Sequence, residues 1–220
     1  MQLLLTGKKR LARFSSSHDK ENGIPSEWKI TRLSSVVVGS SQRNGDLAIT
    51  DIRSVNKTTG MQPMEVRYVG SDISKYKIVK PGWFAYNPMR LNIGSIKQWS
   101  GEDPCVVSPD YVVYSCDEKQ LSGRFMARTI QSDMWSQFMR REGNGSVRVR
   151  IYLSDLGRMK ILLPTIDEQN GIVDVIEKFE RDIDRSQELL ENVRTQKKGL
   201  MQKLLTGEIR VKVTEDDHAE

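Results

Sequence analysis

From Ile172 onward the chain places a residue of one kind every four, then three, positions. Ile172, Ile176, Phe179 and Ile183 lead, followed by Ser186, Leu190, Val193, Lys197, Leu200 and Leu204. Eight of these ten positions are apolar over more than four heptads, which is the 3.5-residue repeat of a coiled-coil seam and not the broader stripe of a surface helix. Pro164 and the acidic pair Asp167-Glu168 suit the start of this helix, where backbone N–H groups attract negative charge. Thr206-Gly207 suits its end, with glycine at the left-handed cap and basic residues in the last turns. A helix over 167–206 spans about 60 Å at 1.5 Å per residue. Such a rod cannot bury its stripe against itself. Ile172, Ile176, Phe179, Ile183, Leu190, Val193, Leu200 and Leu204 are therefore assigned to a partner helix, with a homodimer as the expected pairing.

Residues 25–160 carry a different pattern. "IPSEWKITRLSSVVVG" reads as a turn followed by a strand, and "YKIVKPGWFAYNPMRLNIGSI" as short apolar alternations broken by Pro-Gly, Asn-Pro and Gly. "CVVSPDYVVYSC" supplies two more strands. "LSGRFMARTIQSDMWSQFMRR" has helical spacing at Phe125, Ile130, Met134 and Phe138, and "GNGSVRVRIYLSDLGRMKILLP" returns to strand after a Gly-rich turn. Many short strands with one or two helices predict an α+β fold. The expected organisation is an N-terminal segment over 1–24, a strand-rich domain over 25–165, a long helix over 166–207 and a polar tail over 208–220.

Charge sharpens this division. Residues 1–160 hold 25 Lys/Arg against 15 Asp/Glu, whereas residues 161–220 hold 9 against 14. A basic body joined to a mildly acidic helix points to one part that meets a polyanion and another that meets protein. Two cysteines, Cys105 and Cys116, are too few for a disulfide framework and point to a reducing cytoplasm. Neither histidine, His18 or His218, sits in a ligand spacing, so a metal site has little raw material. Residues 1–18 have four basic residues, no acid and a Ser15-Ser16-Ser17 run, the composition of a transit peptide. A recurrence of the same segment near the C-terminus argues against that reading.

Catalytic motifs are weak. "NPMR" at 87–90 lacks the second proline and the aromatic residue of the loop that holds a flipped adenine, and no Gly-rich nucleotide fingerprint accompanies it. Asp110 with Asp117-x-Lys119 has nuclease-like types, but the interval is short for gathering a divalent metal. No nucleophile has a histidine close in sequence. The basic groups say more. Arg43, Lys75, Lys77, Arg90, Lys97, Arg124, Arg128, Arg140, Arg141, Arg148 and Arg150, with Ser146 in the Gly-rich loop, stand mostly in or beside turns, where a rigid scaffold carries readout groups. Arg148 and Arg150 alternate and would share one face of a strand, spaced to meet phosphates or base edges. The aromatics Trp83, Phe84, Tyr86, Trp99, Tyr111 and Tyr114 fall at strand spacing and read as core.

The chain also repeats itself. "MQLLLTGKKR" at the start and "MQKLLTGEIR" at 201–210 agree at seven of ten positions. Together with "IPSEWKITRLSSVV", "KPGWFAYNPMRLNIGSI", "VVSPDYVVY", "GSVRVRIYLSDLGRMKILLPTIDEQ" and "KKGLMQKLLTGEIRV", this pattern resembles the specificity (S, HsdS) subunit of type I restriction–modification systems, from Met1 to about Val213. The resemblance implies target-recognition domains, each followed by a long helix ending in Leu-Leu-Thr-Gly. Residues 1–14 then match the end of a preceding helix, and the chain one unit plus that tail, either a natural half-subunit or half of a longer one. It further implies a subunit with no catalytic residues, reading one half of a bipartite site on double-stranded DNA. Its helix would dock modification (methyltransferase) subunits that hold S-adenosylmethionine, and a restriction subunit using ATP and Mg would join the complex. Two alternatives are a coiled-coil adaptor that does not bind DNA and a stand-alone metal-dependent nuclease.

Overall fold

Turns punctuate the first two-thirds of the chain so often that, among the described residues, no strand exceeds five residues. A short helix, α1 (Gln2–Leu5), comes first, then strands β1 (Lys29–Arg32), β2 (Val37–Ser40), β3 (Arg53–Asn56) and β4 (Gly60–Pro63). β5 (Lys77–Val79), β6 (Phe84–Tyr86), β7 (Ile96–Gln98), β8 (Cys105–Val107) and β9 (Val112–Cys116) follow. Helices α2 (Gly123–Thr129), α3 (Asp133–Glu142) and α4 (Leu153–Leu156) precede β10 (Lys160–Leu163) and the 40-residue helix α5 (Ile166–Leu205). The computed structural model describes residues 1–14, 24–142 and 150–211. It divides into two units: the first runs from Met1 to Asp174 and holds every strand of the described residues, and the second begins at Val175. A strand-rich α+β body followed by one long C-terminal helix is the architecture the sequence predicts.

The largest sheet has the order β2-β9-β6-β7, antiparallel throughout. Phe84 of β6 lies opposite Tyr114 of β9, and their rings stack at 5.0 Å, with Tyr86 edge-on to Tyr114 at 6.3 Å. All three are fully buried, and burial of one such side chain contributes about 1.5–3 kcal/mol. A second cluster joins Val55 and Met61 of the β3–β4 hairpin to Val79, Trp99, Cys105, Tyr111 and Val113. The aromatic residues thus build core, as their strand spacing predicts; only Trp83 is half-buried. β1 pairs with β10 in the register Lys29↔Leu163 to Arg32↔Lys160, so the two ends of the domain close on each other beside the start of α5.

Three segments differ from the sequence expectation. "WKITRLSSVVVG" is two strands of different sheets, parted by a tight helical turn at Leu33–Ser35. The stretch 121–141, read as one continuous helical spacing, is α2 and α3, because Ser132 breaks the run and restarts it: its hydroxyl donates to the Thr129 carbonyl and accepts from the Trp135 N–H. The restart shifts the helical phase, so Trp135 and Met139 are buried while Met134 and Phe138 are only half-buried. Arg150 and Ile151 are not on a strand, and residues 153–156 form α4, whose first turn is closed by the Asp155 carboxylate accepting the Tyr152 N–H at 3.0 Å.

The N-terminal segment packs on the beginning of α5. Leu5 is buried, and Arg10 reaches Glu168, which also accepts the Trp28 indole N–H at 3.0 Å. Gln169 is fully buried next to it. Its side-chain carbonyl accepts the Ser122 N–H at 2.9 Å, and its amide donates to the carbonyls of Gln120 and Pro164. The "LPTIDEQ" stretch is therefore a structural fastener: its last two residues tie α5 to the N-terminal segment and to the turn before α2.

Candidate nucleic-acid interface

Hairpin β3–β4, strand β7 and helix α3 bring three cations to one cleft. Lys57 stands in the hairpin turn, Lys97 on β7 and Arg140 in the last turn of α3. The cleft between them has a volume of about 580 Å³ and an apolar floor of Leu91, Ile93, Ile96, Trp135 and Met139, with no acidic residue on its lining. Gly94 at the rim is left-handed at φ +91°, a conformation that L side chains rarely adopt, and the Lys57 stem lies across it. Lys57 and Arg140 are exposed and Lys97 is half-buried, and among the described residues none of the three has an acidic partner. Such cations can neutralise successive phosphates at little desolvation cost. Lys97 and Arg140 were expected from sequence. Lys57 was not, although its place in the Asn-Lys-Thr-Thr-Gly hairpin turn is the kind of signal that marked the others.

A second basic group surrounds Asp110. Arg43 bridges to Lys77 across an antiparallel pair, and the Lys77 amine donates to the Tyr111 carbonyl at 2.6 Å. Burial, reinforced by Arg43 and opposed by Asp110, holds the Lys77 amine below its ordinary value. Lys77 is thus half spent inside the fold, whereas the Arg43 side chain is exposed. The Ile151 N–H donates to the Pro88 carbonyl at 3.0 Å, which sets Arg150 beside the Asn87–Arg90 turn. Arg150 is exposed, and a hydrogen bond to Tyr152 together with Asp110 keeps its guanidinium even more firmly charged. "NPMR" itself is a turn: the Asn87 side chain accepts the Met89 N–H at 2.9 Å, and Arg90 is left exposed at its end.

The remaining basic candidates are dispersed. Lys75 pairs with Asp72 at 3.1 Å, and Arg124 pairs with Asp174 at 2.9 Å in the first turns of α5. Arg128, one turn further along α2, is half-buried, and Arg141 is exposed at the end of α3. Ser146 and Arg148 lie outside the described residues, and Arg150 stands on a loop. The nuclease-like set is not brought together. Asp110 and Asp117 stand at opposite ends of β9, roughly 20 Å apart at the rise of an extended strand. Asp117 instead closes its own turn, accepting from the Gln120 amide and the Lys119 N–H.

On α5, Ile172 is buried within the first unit and Ile176 is also buried, which withdraws both from the face offered to a partner. Phe179, Ile183, Leu190, Val193, Leu200 and Leu204 remain, each between 38% and 64% exposed. No helix among the described residues is long and apolar enough to cross a membrane.

No family model matches the sequence, and no curated protein does. Solved structures match in fold. One is the HsdS subunit from Thermoanaerobacter tengcongensis, with a TM-score of 0.64 and 17% identity over 89% of this chain and 52% of that one. Another is a chain of a type I R-M system, described for its complex assembly and conformational transition, with a TM-score of 0.61 and 16% identity over 87% of this chain and 52% of that one. The chain spans about half the length of each. This strand-rich domain with its long C-terminal helix has the fold of an HsdS subunit, over about half of that subunit's length.

Proposed function

We propose that this chain is the DNA-recognition subunit of a type I restriction–modification complex, reading one half of a bipartite duplex site. The observation that supports it most is the HsdS fold carrying a cleft with three cations and no acid on its walls. In this reading Lys57, Lys97 and Arg140 hold phosphates, while Arg43, Arg90 and Arg150 reach toward the same duplex. Phosphate contacts fix register, and base-edge contacts supply sequence discrimination. The chain performs no chemistry itself. A modification subunit docked on α5 would bring S-adenosylmethionine, and a restriction subunit would bring ATP and Mg. The exposed face of α5 from Phe179 to Leu204 pairs two copies in the cytoplasm, giving one recognition domain per half-site.

The deciding experiment is motif-resolved methylation mapping in cells carrying a modification subunit, with and without this chain. A split adenine-methylated motif that appears only with the chain is the expected result. An unchanged methylome, or the absence of salt-dependent binding of the purified chain to duplex DNA, would favour the adaptor reading.

A further inference from the structure

Among the described residues, Leu47 is the one residue other than glycine with a left-handed backbone, at φ +59°. There an L side chain carries its Cβ too close to the following carbonyl, so the position ordinarily falls to glycine or asparagine. Asn44 imposes the conformation. It is fully buried and makes four hydrogen bonds. Its N–H donates to the Tyr76 carbonyl at 3.0 Å, and its carbonyl accepts the Leu47 N–H at 2.9 Å. Its side chain donates to the Ile49 carbonyl at 2.8 Å and accepts the Ile49 N–H at 3.1 Å. Residues 45–48 are thereby held as a closed loop, which the Asp46 carboxylate tightens by accepting the Ala48 N–H at 3.3 Å. All four residues are exposed, Leu47 by 52%.

A loop built only to reverse the chain has no use for this leucine. Glycine would relieve the backbone, and a polar side chain would suit water better. Strain kept by a rigid surround, under an apolar side chain held out in solvent, marks a contact made with something else. The neighbours say with what. Arg43 stands exposed just before the clamp and belongs with Lys77 and Arg150 to the basic group around Asp110. Asp46 at the tip repels phosphates, so the end of the loop suits base edges while Arg43 suits the sugar-phosphate strand beside them. Gly45, Asp46 and Ala48 add no large apolar side chain to Leu47, which leaves too small a patch for a protein partner. One leucine does match one methyl group. Of the four bases only thymine carries one, and it lies in the major groove.

We propose that Leu47 is a specificity-determining residue that packs on the 5-methyl group of one thymine in the recognised half-site, with Arg43 on a neighbouring phosphate. This rests on the DNA-recognition reading and adds to it an apolar contact outside the cation-lined cleft, whose walls do not include Leu47. Because Asn44 orders the loop in the free chain, little entropy is lost when the contact forms.

The test uses the full chain and the duplex motif that methylation mapping returns. Each thymine of the recognised half, on either strand, is replaced in turn by uracil, which removes only the methyl group. One replacement should weaken binding by the parent about fourfold, the worth of one buried methyl. Leu47→Gly and Leu47→Asn both suit a left-handed backbone. Each should bind the motif at least about tenfold more weakly than the parent and be indifferent to that uracil. Leu47→Asn should melt no earlier than the parent; earlier melting would show that Leu47 serves packing and overturn the assignment. Salt-dependent binding by the parent in which no uracil matters, or in which the variants respond as the parent does, overturns the Leu47 contact and leaves the DNA reading standing. A parent with no salt-dependent duplex binding sinks both.

Discussion

The Arg10 guanidinium donates through Nε and Nη2 to the two carboxylate oxygens of Glu168, at 2.9 and 2.8 Å, across 158 residues of sequence. The Arg10 side chain is 5% exposed and that of Glu168 is 1% exposed. Water therefore cannot replace either partner. Removing the arginine leaves a buried carboxylate with the Trp28 indole as its remaining donor. Arg10→Ala should cost about 3–5 kcal/mol, the range for breaking rather than replacing a buried pair. Urea denaturation measures it; a loss within that of a surface pair, about 1 kcal/mol or less, would contradict the fastening role.

In the cleft, each cation is exposed enough to be removed without harming the fold. Lys97→Ala and Arg140→Ala should weaken binding to every duplex alike and each lower the salt slope by about one unit, as phosphate contacts do. Lys57→Ala should do the same, and Arg150→Ala should show either that behaviour or a loss of roughly 1–3 kcal/mol at one base position. Salt titrations with target and random duplexes separate the two. Unchanged slopes in all four would remove the cleft from the interface.

The α5 face supports a third expectation. Ile183 and Val193 are 55% and 51% exposed on the same seam, and charges there cannot be buried against a second helix. Ile183→Asp with Val193→Asp should turn a dimer into a monomer in light scattering. It should also weaken binding to a bipartite duplex far more than to a single half-site.

The two thiols make stability depend on alkaline pH. Burial holds Cys105 and Cys116 protonated up to about 12, against an ordinary value near 9. Above pH 9 the unfolded chain ionises these thiols and the folded one does not, so the folded state carries the extra protons. Stability present below pH 9 is then lost as pH rises from about 9 to about 12, by up to about 1.4 kcal/mol per pH unit for each thiol. Cys105→Val removes one titrating group, and its stability curve should flatten by about that amount relative to the parent in this window.

Local pattern was enough for what depends on local pattern. The 4–3 spacing from Ile172, the Thr206-Gly207 cap and the alternation around Phe84 and Tyr114 are properties of consecutive residues, and helix α5, its end and the buried strands follow from them. The repeated Leu-Leu-Thr-Gly segment likewise fixed two matching helix ends, because a left-handed glycine after a threonine closes a helix in any context. Tertiary contacts decided the rest. Helices α2 and α3 differ in phase because the Ser132 hydroxyl serves both, an effect of two hydrogen bonds that periodicity cannot register. The split of "WKITRLSSVVVG" depends on β10 and β9 claiming its two halves from distant parts of the chain. Charge in the sequence marked many basic residues alike. Only packing separated Lys77, whose amine is held by the Tyr111 carbonyl, from Lys97 and Arg140, which face an open cleft with Lys57. Sequence also made the two decapeptides equivalent. Their different surroundings come from tertiary contacts: Pro25, Trp28 and Glu168 bury one copy, while the last turns of α5 leave the other in water.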